Sequence, residues 1–235
     1  MKRFWKDVAI VPADGGGFGI TLDTRPVRTP ARAALILPMG ALADAVAAEW
    51  AAQGEDVDPR SMPMTGLSNA AIDRVLPDPA LFVNQIAAYA ETDLLCYRAD
   101  APATLIARQA AAWDPLLAWA RTRYDIALRV TAGIVHVAQP PETLARLRAA
   151  VAAHEAHALA ALSPLVTIGG SLIAALALAE QAIDPDAAFD VTHLDELWQV
   201  ERWGEDALAT EARTLRKADF LAAARFLDLI RPSAG

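Results

Sequence analysis

Carboxylates are concentrated in one stretch of this sequence, residues 184–211, which carries a single arginine, Arg202. The stretch holds nine of them: Asp184, Asp186, Asp190, Asp195, Glu196, Glu201, Glu205, Asp206 and Glu211. Carboxylates gathered in this way can work as a general acid and base, bind a metal ion, or pair with arginines of a partner protein. The spacing of the surrounding residues is the first guide to which of these applies.

Read as a helix, the same stretch carries a stripe of residues at alternating spacings of three and four: Val191, Leu194, Trp198, Glu201, Glu205, Leu208, Ala212 and Leu215. Such a stripe normally faces the core. Here Glu201, Gly204 and Glu205 interrupt it, and two interpretations stay open. In the first, the helix bends or ends at Gly204 with both glutamates in water. Alternatively, the stripe passes from the core into a functional surface for a partner that is both apolar and cationic.

The sequence around the other potentially reactive side chains argues against enzyme chemistry. Cys96, within LLCY, is predicted to be a buried small hydrophobe rather than a nucleophile. His154 and His157 have no HExxH pattern or nearby cysteine beside them, so we interpret them as core or surface histidines rather than metal ligands. The glycine-rich residues 14–19 lead into the strand-like ITLD instead of a helix, which indicates a hairpin turn and not a phosphate loop. The sequence therefore predicts no metal and no cofactor.

Composition narrows the classes of partner. The 235 residues allow one or two domains, and the net charge of −8 without a basic run argues against nucleic acid and anionic membranes. The single cysteine excludes an internal disulfide and favours a reducing compartment. Residues 159–179 are uncharged and long enough to span a bilayer, but they contain Pro164 and the run Gly169-Gly170-Ser171. We therefore expect one buried central helix there and no stable membrane insertion.

The patterning predicts an α+β fold that is predominantly α-helical, with an antiparallel β-rich domain over residues 1–38 and a helical domain over 39–235. Asp114-Pro115 predicts a helix restart or a kink. The segment IALRVTAGIVHVA is expected to form a loop that carries Ile134 and Val135 inward. The last helix is expected to bury Leu215, Ala222, Phe226 and Leu229.

Several phrases recur together in one known family: RFWKDV, LDTRPVRTPA, LILP, AAEWAAQGE, TDLLCYRA, QAAAWDPLLAW and LDELWQVERWGED. In their order and spacing the chain resembles the ATP synthase assembly chaperones of mitochondria and α-proteobacteria. These chaperones protect the free α-subunit of the soluble catalytic head. The resemblance implies a two-part protein without enzymatic activity, which holds the α-subunit until the β-subunit replaces it. Because β-structure is predicted almost from Met1, with no presequence before it, we expect a bacterial member in the cytoplasm, acting as a monomer.

The resemblance also implies partner-binding positions. Those that match the family's motifs are Glu49, Trp50, Glu196, Gln199, Trp203 and Gly204, and acidic residues after Trp-Gly add Glu205 and Asp206. An orphan α-subunit would expose an apolar interface together with basic residues that normally surround nucleotide phosphates. We hypothesise that Glu201, Glu205 and Asp206 beside Trp198 and Trp203 cover both features, so that association is salt-sensitive.

Two alternatives remain at the level of sequence. A carboxylate-based enzyme would need a concave pocket around residues such as Glu196 and Glu201 with perturbed pKa values. A helical ligand-binding module would use residues 159–179 to line an apolar cavity.

Overall fold

The computed structural model describes residues 2–232 of the chain. Helices dominate this range: α1 (Gly40–Ala51), α2 (Pro63–Ala70), α3 (Pro79–Ala87), α4 (Ala103–Tyr124), α5 (Pro141–Ala152), α6 (Ala156–Gly169), α7 (Leu172–Ala179), α8 (Pro185–Thr192), α9 (Leu194–Trp203) and α10 (Ala207–Leu229). The strands are β1 (Val8–Pro12), β2 (Phe18–Leu22), β3 (Arg25–Pro26), β4 (Ile36–Leu37), β5 (Tyr97–Arg98) and β6 (Thr131–Ala132). The predicted α+β class, predominantly helical, is confirmed.

Strand β2 is the centre of the N-terminal sheet, where it pairs antiparallel with β1, β3 and β4. The β1–β2 turn contains three consecutive glycines with positive φ, which confirms the predicted hairpin. Position 17 requires glycine for two reasons: its φ is +84°, and a Cβ there would lie 2.7 Å from the carbonyl oxygen of Leu37. The turn therefore holds the hairpin directly against β4.

The described chain divides into two compact units. The first contains the residues up to Pro79 together with Glu155–Ala161 and the segment from Arg225 onward, and the second contains the rest. In the first unit, α1 packs against β1 and β2 and completely buries Leu42 and Val46. The separate domain boundary after residue 38 that the sequence suggested stays a prediction.

In the second unit, α4 packs against α7. Trp113 of α4 is 1 % exposed, and its indole nitrogen donates a hydrogen bond of 2.9 Å to the carbonyl oxygen of Val191. Every residue from Leu172 to Leu178 is buried. Helix α4 continues through Pro115, so of the two predicted alternatives at Asp114-Pro115 the restart is wrong and the kink stays a prediction. The packing of buried Trp113, Leu116 and Leu117 on both sides of the proline stabilises the continuous helix.

Asp93 is a fully buried carboxylate in the second unit. Its oxygens accept hydrogen bonds from the backbone N–H groups of Leu95 (3.0 Å) and Ile173 (2.9 Å) and from the hydroxyl of Ser171 (2.8 Å). Burial raises the pKa of Asp93 to about 6, although these donors oppose the rise. One side chain thus joins the loop before β5 to the start of α7.

Residues 159–179 form parts of two helices and not the single helix expected from sequence. Helix α6 ends at Gly169, Gly170 has a φ of +67°, and Ser171 begins α7 by accepting a hydrogen bond from the N–H of Ala174. Glycine and serine in succession favour this break, because the first permits the left-handed turn and the second caps the next helix. Within residues 2–232, no helix is both long and apolar enough to cross a bilayer.

Two expectations about apolar side chains are wrong. Ile134 and Val135 point outward, with exposures of 98 % and 74 %. Strand β6 pairs with β5 over only two residues, and the chain leaves this pairing at Gly133, whose φ is +79°. Leu215 is 62 % exposed, because α10 begins to bury its side chains only at Phe220. Phe226, in contrast, is completely buried as predicted.

Candidate functional site

The acidic stretch forms three helices, with breaks at His193 and Gly204. The predicted stripe changes character along them. Leu194 and Trp198 are buried in the second unit, whereas Leu208 is 77 % exposed. Helix α9 ends at Gly204, whose φ is +88°, so the interpretation that the helix ends at this glycine is confirmed. The glutamates on both sides of it reach solvent.

Large apolar side chains are exposed at the end of α9 and along the first part of α10. Trp203, Leu208 and Leu215 are 72 %, 77 % and 62 % exposed. Leu208 and Leu215 are seven residues apart and therefore share one face of α10. Trp203 meets buried Trp198 edge to face at 5.6 Å, which holds the exposed ring in place. We call Trp203, Glu205, Asp206, Leu208 and Leu215 the exposed strip.

Glu201 belongs to an ion pair within the protein. Both terminal guanidinium nitrogens of Arg108, on α4, donate to its carboxylate at 2.5 and 2.7 Å. These hydrogen bonds hold the pKa of Glu201 below its usual value and raise that of Arg108. A general acid would need the opposite shift. Glu201 therefore helps to attach α9 to α4.

Glu196 connects α9 to α10. It accepts a hydrogen bond of 2.7 Å from Arg216 and one of 3.4 Å from Arg213. Arg213 also lies 3.5 Å from Glu205, which follows the break at Gly204. Charge pairs thus join α10 to α9 through Glu196, and to the three-residue connection through Glu205.

The remaining predicted positions of this stretch are exposed. Gln199 is exposed on α9, and Gly204 is exposed in the break. Asp206 caps the start of α10 by accepting a hydrogen bond of 2.9 Å from the backbone N–H of Ala209. Asp206 consequently has a structural task in addition to any contact with a partner.

Glu49 and Trp50 lie in the first unit, apart from the other predicted positions in the second. Glu49 accepts hydrogen bonds from the backbone N–H groups of Met64 (2.7 Å) and Thr65 (2.8 Å), which cap the start of α2. Trp50 is half-buried and packs edge to face on Trp5, with ring centroids 5.2 Å apart. Both residues are thus engaged inside their own unit.

A groove of about 620 Å³ lies beside the exposed strip, within the second unit. Its floor is apolar: Ala111, Ala112, Val191, Leu194, Leu197 and Val200. Its rim carries Asp190, Glu201 and Glu205 together with Arg108 and Arg213. The combination suits a side chain that has both an aliphatic part and a charge.

Sequence reasoning missed the cationic partners in this site. Arg108 lies 93 residues from Glu201, and no local pattern indicates that pairing. Three cations share one side of α10, because Arg216 and Lys217 lie three and four residues after Arg213. This spacing is a local pattern from which pairing with the acidic stretch could have been predicted. Lys217 lies 2.8 Å from Asp186 and 3.6 Å from Asp190.

The described residues offer little for metal or nucleophilic chemistry. Among residues 2–232, no group of three or more His, Cys, Asp or Glu side chains is placed to hold a metal ion. Cys96 is completely buried, and burial together with the charge of Asp93 raises the pKa of its thiol to about 12. Burial lowers the pKa of His154 and of His157, which favours the neutral form of both imidazoles.

Comparison with known proteins gives consistent relatives. A family model described as ATP12 chaperone protein matches residues 2–121. The mitochondrial protein atp12 of Schizosaccharomyces pombe is 28 % identical over 221 residues, which are 88 % of this chain and 76 % of that protein. The crystal structure of Atp12 from Paracoccus denitrificans is 43 % identical, with a TM-score of 0.94 and 98 % of each chain covered. A structure described as a putative chaperone from Agrobacterium tumefaciens is 41 % identical, with a TM-score of 0.94, and covers 98 % of this chain and 86 % of that one.

Proposed function

This chain belongs to the ATP12 chaperone family, and from that premise we propose that its client is the unassembled α-subunit of the F-type ATP synthase. The chaperone holds this subunit in the cytoplasm, as a monomer, and prevents its aggregation. The β-subunit then displaces the chaperone as the catalytic head assembles. No cofactor and no reaction of its own enter this proposal.

The observation that carries the proposal is the exposed strip. Trp203, Leu208 and Leu215 leave three large apolar side chains in water beside Glu205 and Asp206. Scattered exposed apolar residues are ordinary, but apolar residues clustered with a polar rim mark protein interfaces. Tryptophan in particular supplies much of the binding energy where it becomes buried.

The charges of the strip suit a client with basic groups. An α-subunit without its neighbour exposes an apolar interface and the basic residues that would otherwise surround nucleotide. Glu205 and Asp206 would pair with such cations, while the apolar side chains cover the interface. Since the pairs remain near solvent, each contributes little, and the chaperone can be displaced.

The contact between buried Trp5 and half-buried Trp50 supports a smaller contribution from the first unit. The indole nitrogen of each is buried without a hydrogen-bond partner among the described residues. Glu49 and Trp50 are accordingly kept as proposed contact positions, with Glu49 acting through the cap of α2. Their replacement is the second set of variants to examine.

The test is capture of this chain by immobilised ATP synthase α-subunit. The informative variant is the pair Leu208→Gln and Leu215→Gln, because both side chains are exposed and glutamine is compatible with helix. We expect capture to fall at least about tenfold, with melting unchanged. Leu76→Gln is the matched control, since Leu76 is 53 % exposed but lies in the first unit. Absence of capture by the unaltered chain would refute the α-subunit as client, and equal capture by all three would place the interface elsewhere.

A further inference from the structure

The groove beside the exposed strip contains two carboxylates that are only second partners of their cations. Glu205 lies 3.5 Å from Arg213, and the same guanidinium is also paired with Glu196, at 3.4 Å. Asp190 lies 3.6 Å from Lys217, and that ammonium has Asp186 at 2.8 Å. If Glu205 and Asp190 turn to another cation, Arg213 and Lys217 still have a carboxylate each.

Glu201 differs from these two carboxylates. Its bidentate bond to Arg108 would have to be broken before it could accept a new cation, and Arg108 has no second carboxylate partner among the described ion pairs. The available acceptors in the groove are therefore Asp190 and Glu205, from opposite sides of α9 in sequence. Both are well exposed, with side-chain exposures of 57 % and 63 %.

The groove that these acceptors line also has apolar side chains, which include Val191, Leu194 and Val200. A lysine or arginine can lay its aliphatic stem on such a surface while its charge reaches polar groups. Two carboxylates from different elements favour the planar guanidinium, which presents several donors in fixed directions, over an ammonium. The two available carboxylates and the apolar lining together favour an arginine side chain.

We propose that this groove receives one arginine side chain of the client, with its stem on the apolar floor and its guanidinium against Asp190 and Glu205. The inference deepens the proposed function, on which the identity of the client rests. It assigns a binding role to Asp190, and it removes Glu201 from direct contact with the client.

The first experiment does not use the client. The unaltered chain, labelled at its valine and leucine methyl groups, is titrated with the blocked dipeptide acetyl-Leu-Arg-amide and followed by NMR. We expect the methyl signals of Val191, Leu194 and Val200 to shift in a saturable way. The dipeptide with citrulline in place of arginine keeps the shape without the charge, and we expect it to bind roughly fivefold more weakly.

Variants separate a specific site from general negative charge. Asp190→Asn and Glu205→Gln should each weaken the arginine dipeptide roughly threefold to fivefold. Glu211→Gln removes the same charge from exposed α10 outside the groove and should have no effect. Asp186→Asn should also weaken binding, because Lys217 would then turn to Asp190. Absent shifts, equal binding of the citrulline dipeptide, or an equal loss in Glu211→Gln would overturn the proposal.

The second experiment repeats α-subunit capture with Asp190→Asn and Glu205→Gln combined, where we expect a loss of about tenfold relative to Glu211→Gln. Methyl shifts with the arginine dipeptide, but no capture of the unaltered chain, would retain the groove and refute the client. Capture that the paired variant leaves unchanged would retain the client and refute the groove.

Discussion

Arg108 and Glu201 form a bidentate ion pair that joins α4 to α9, with nitrogen–oxygen distances of 2.5 and 2.7 Å. Both side chains are about half exposed, so solvent screens the attraction. Glu201→Gln should therefore shift the melting temperature by no more than about 2 °C at pH 7. Because the pKa of Glu201 is lowered in the folded chain, its contribution is present at neutral pH and is lost as pH falls through the folded pKa. Thermal melts of both chains between pH 3 and pH 7 check this. A variant that melts much lower at neutral pH would show a larger structural role.

The two tryptophans of α9 should respond oppositely to truncation. Trp198 is 9 % exposed, and Trp198→Ala should destabilise the fold by about 3 kcal/mol through loss of packing. Trp203→Ala should change the free energy of unfolding by less than about 1 kcal/mol, while reducing α-subunit capture. Urea unfolding beside the capture assay separates the two effects. Equal destabilisation would mean that Trp203 is core in solution.

The loss of stability on replacing Asp93 should change with pH in a definite direction. Asp93→Asn replaces an acceptor by a donor facing backbone N–H groups, so it should cost about 1–3 kcal/mol at pH 7.5. Burial raises the folded pKa of Asp93 from 3.8 to about 6, so the folded chain binds the proton more tightly than the unfolded chain. The resulting stability is fully present below pH 3.8 and is lost as pH rises through 6. The gap between the two chains should therefore widen by on the order of 2 kcal/mol at pH 4.5. Urea unfolding at the two pH values measures it, and a gap that narrows at low pH contradicts the assignment.

Gly17 and Gly16 allow a matched comparison of strain and steric contact. Both have positive φ, but only at Gly17 does an added Cβ meet another atom, the carbonyl oxygen of Leu37 at 2.7 Å. Gly16→Ala should cost about 1 kcal/mol from backbone strain alone, and Gly17→Ala about 1–3 kcal/mol more. Chemical unfolding of both variants tests the difference. Equal values would mean that β4 moves away from the added Cβ without a loss of stability.

Cys96 should report on unfolding. Its thiol is buried, and its pKa of about 12 leaves almost no thiolate at pH 8. Reaction with a chromogenic disulfide should therefore be slow in the native chain and complete within minutes in urea. Rapid labelling of the native chain at pH 8 would show that the segment around Cys96 opens locally.

Local signals were the reliable part of the sequence. The glycines before Phe18 predict the hairpin, and Gly204 favours one of the two interpretations of the acidic stretch, the one in which the helix ends there. Both inferences work because glycine adopts positive φ without a steric penalty. The ordered phrases identify the family across the chain. Leu215 misled because helical spacing cannot tell which side of a helix has a neighbour.

Long-range pairing was the part that could not be predicted. Arg108 and Glu201 are separated by 93 residues, and Glu49 caps a helix that begins 14 positions later. An acidic stretch in sequence looks uniformly available, yet Arg108, Arg213, Arg216 and Lys217 occupy much of it. Which carboxylates remain for a client depends on this tertiary arrangement.

The hydrogen bonds of Asp93 also bear on how the chain emerges during synthesis. Its carboxylate cannot form these hydrogen bonds until Ser171 and Ile173 have been synthesised, and Ile173 lies 80 residues later. At typical translation rates of about 5–20 residues per second, that interval lasts roughly 4–16 s. Until then the carboxylate has to stay hydrated, and the segment around it cannot become core. The part of this chaperone that is synthesised first therefore stays incompletely folded for several seconds. During that time its apolar segments are exposed, as they are in the unassembled proteins that chaperones bind.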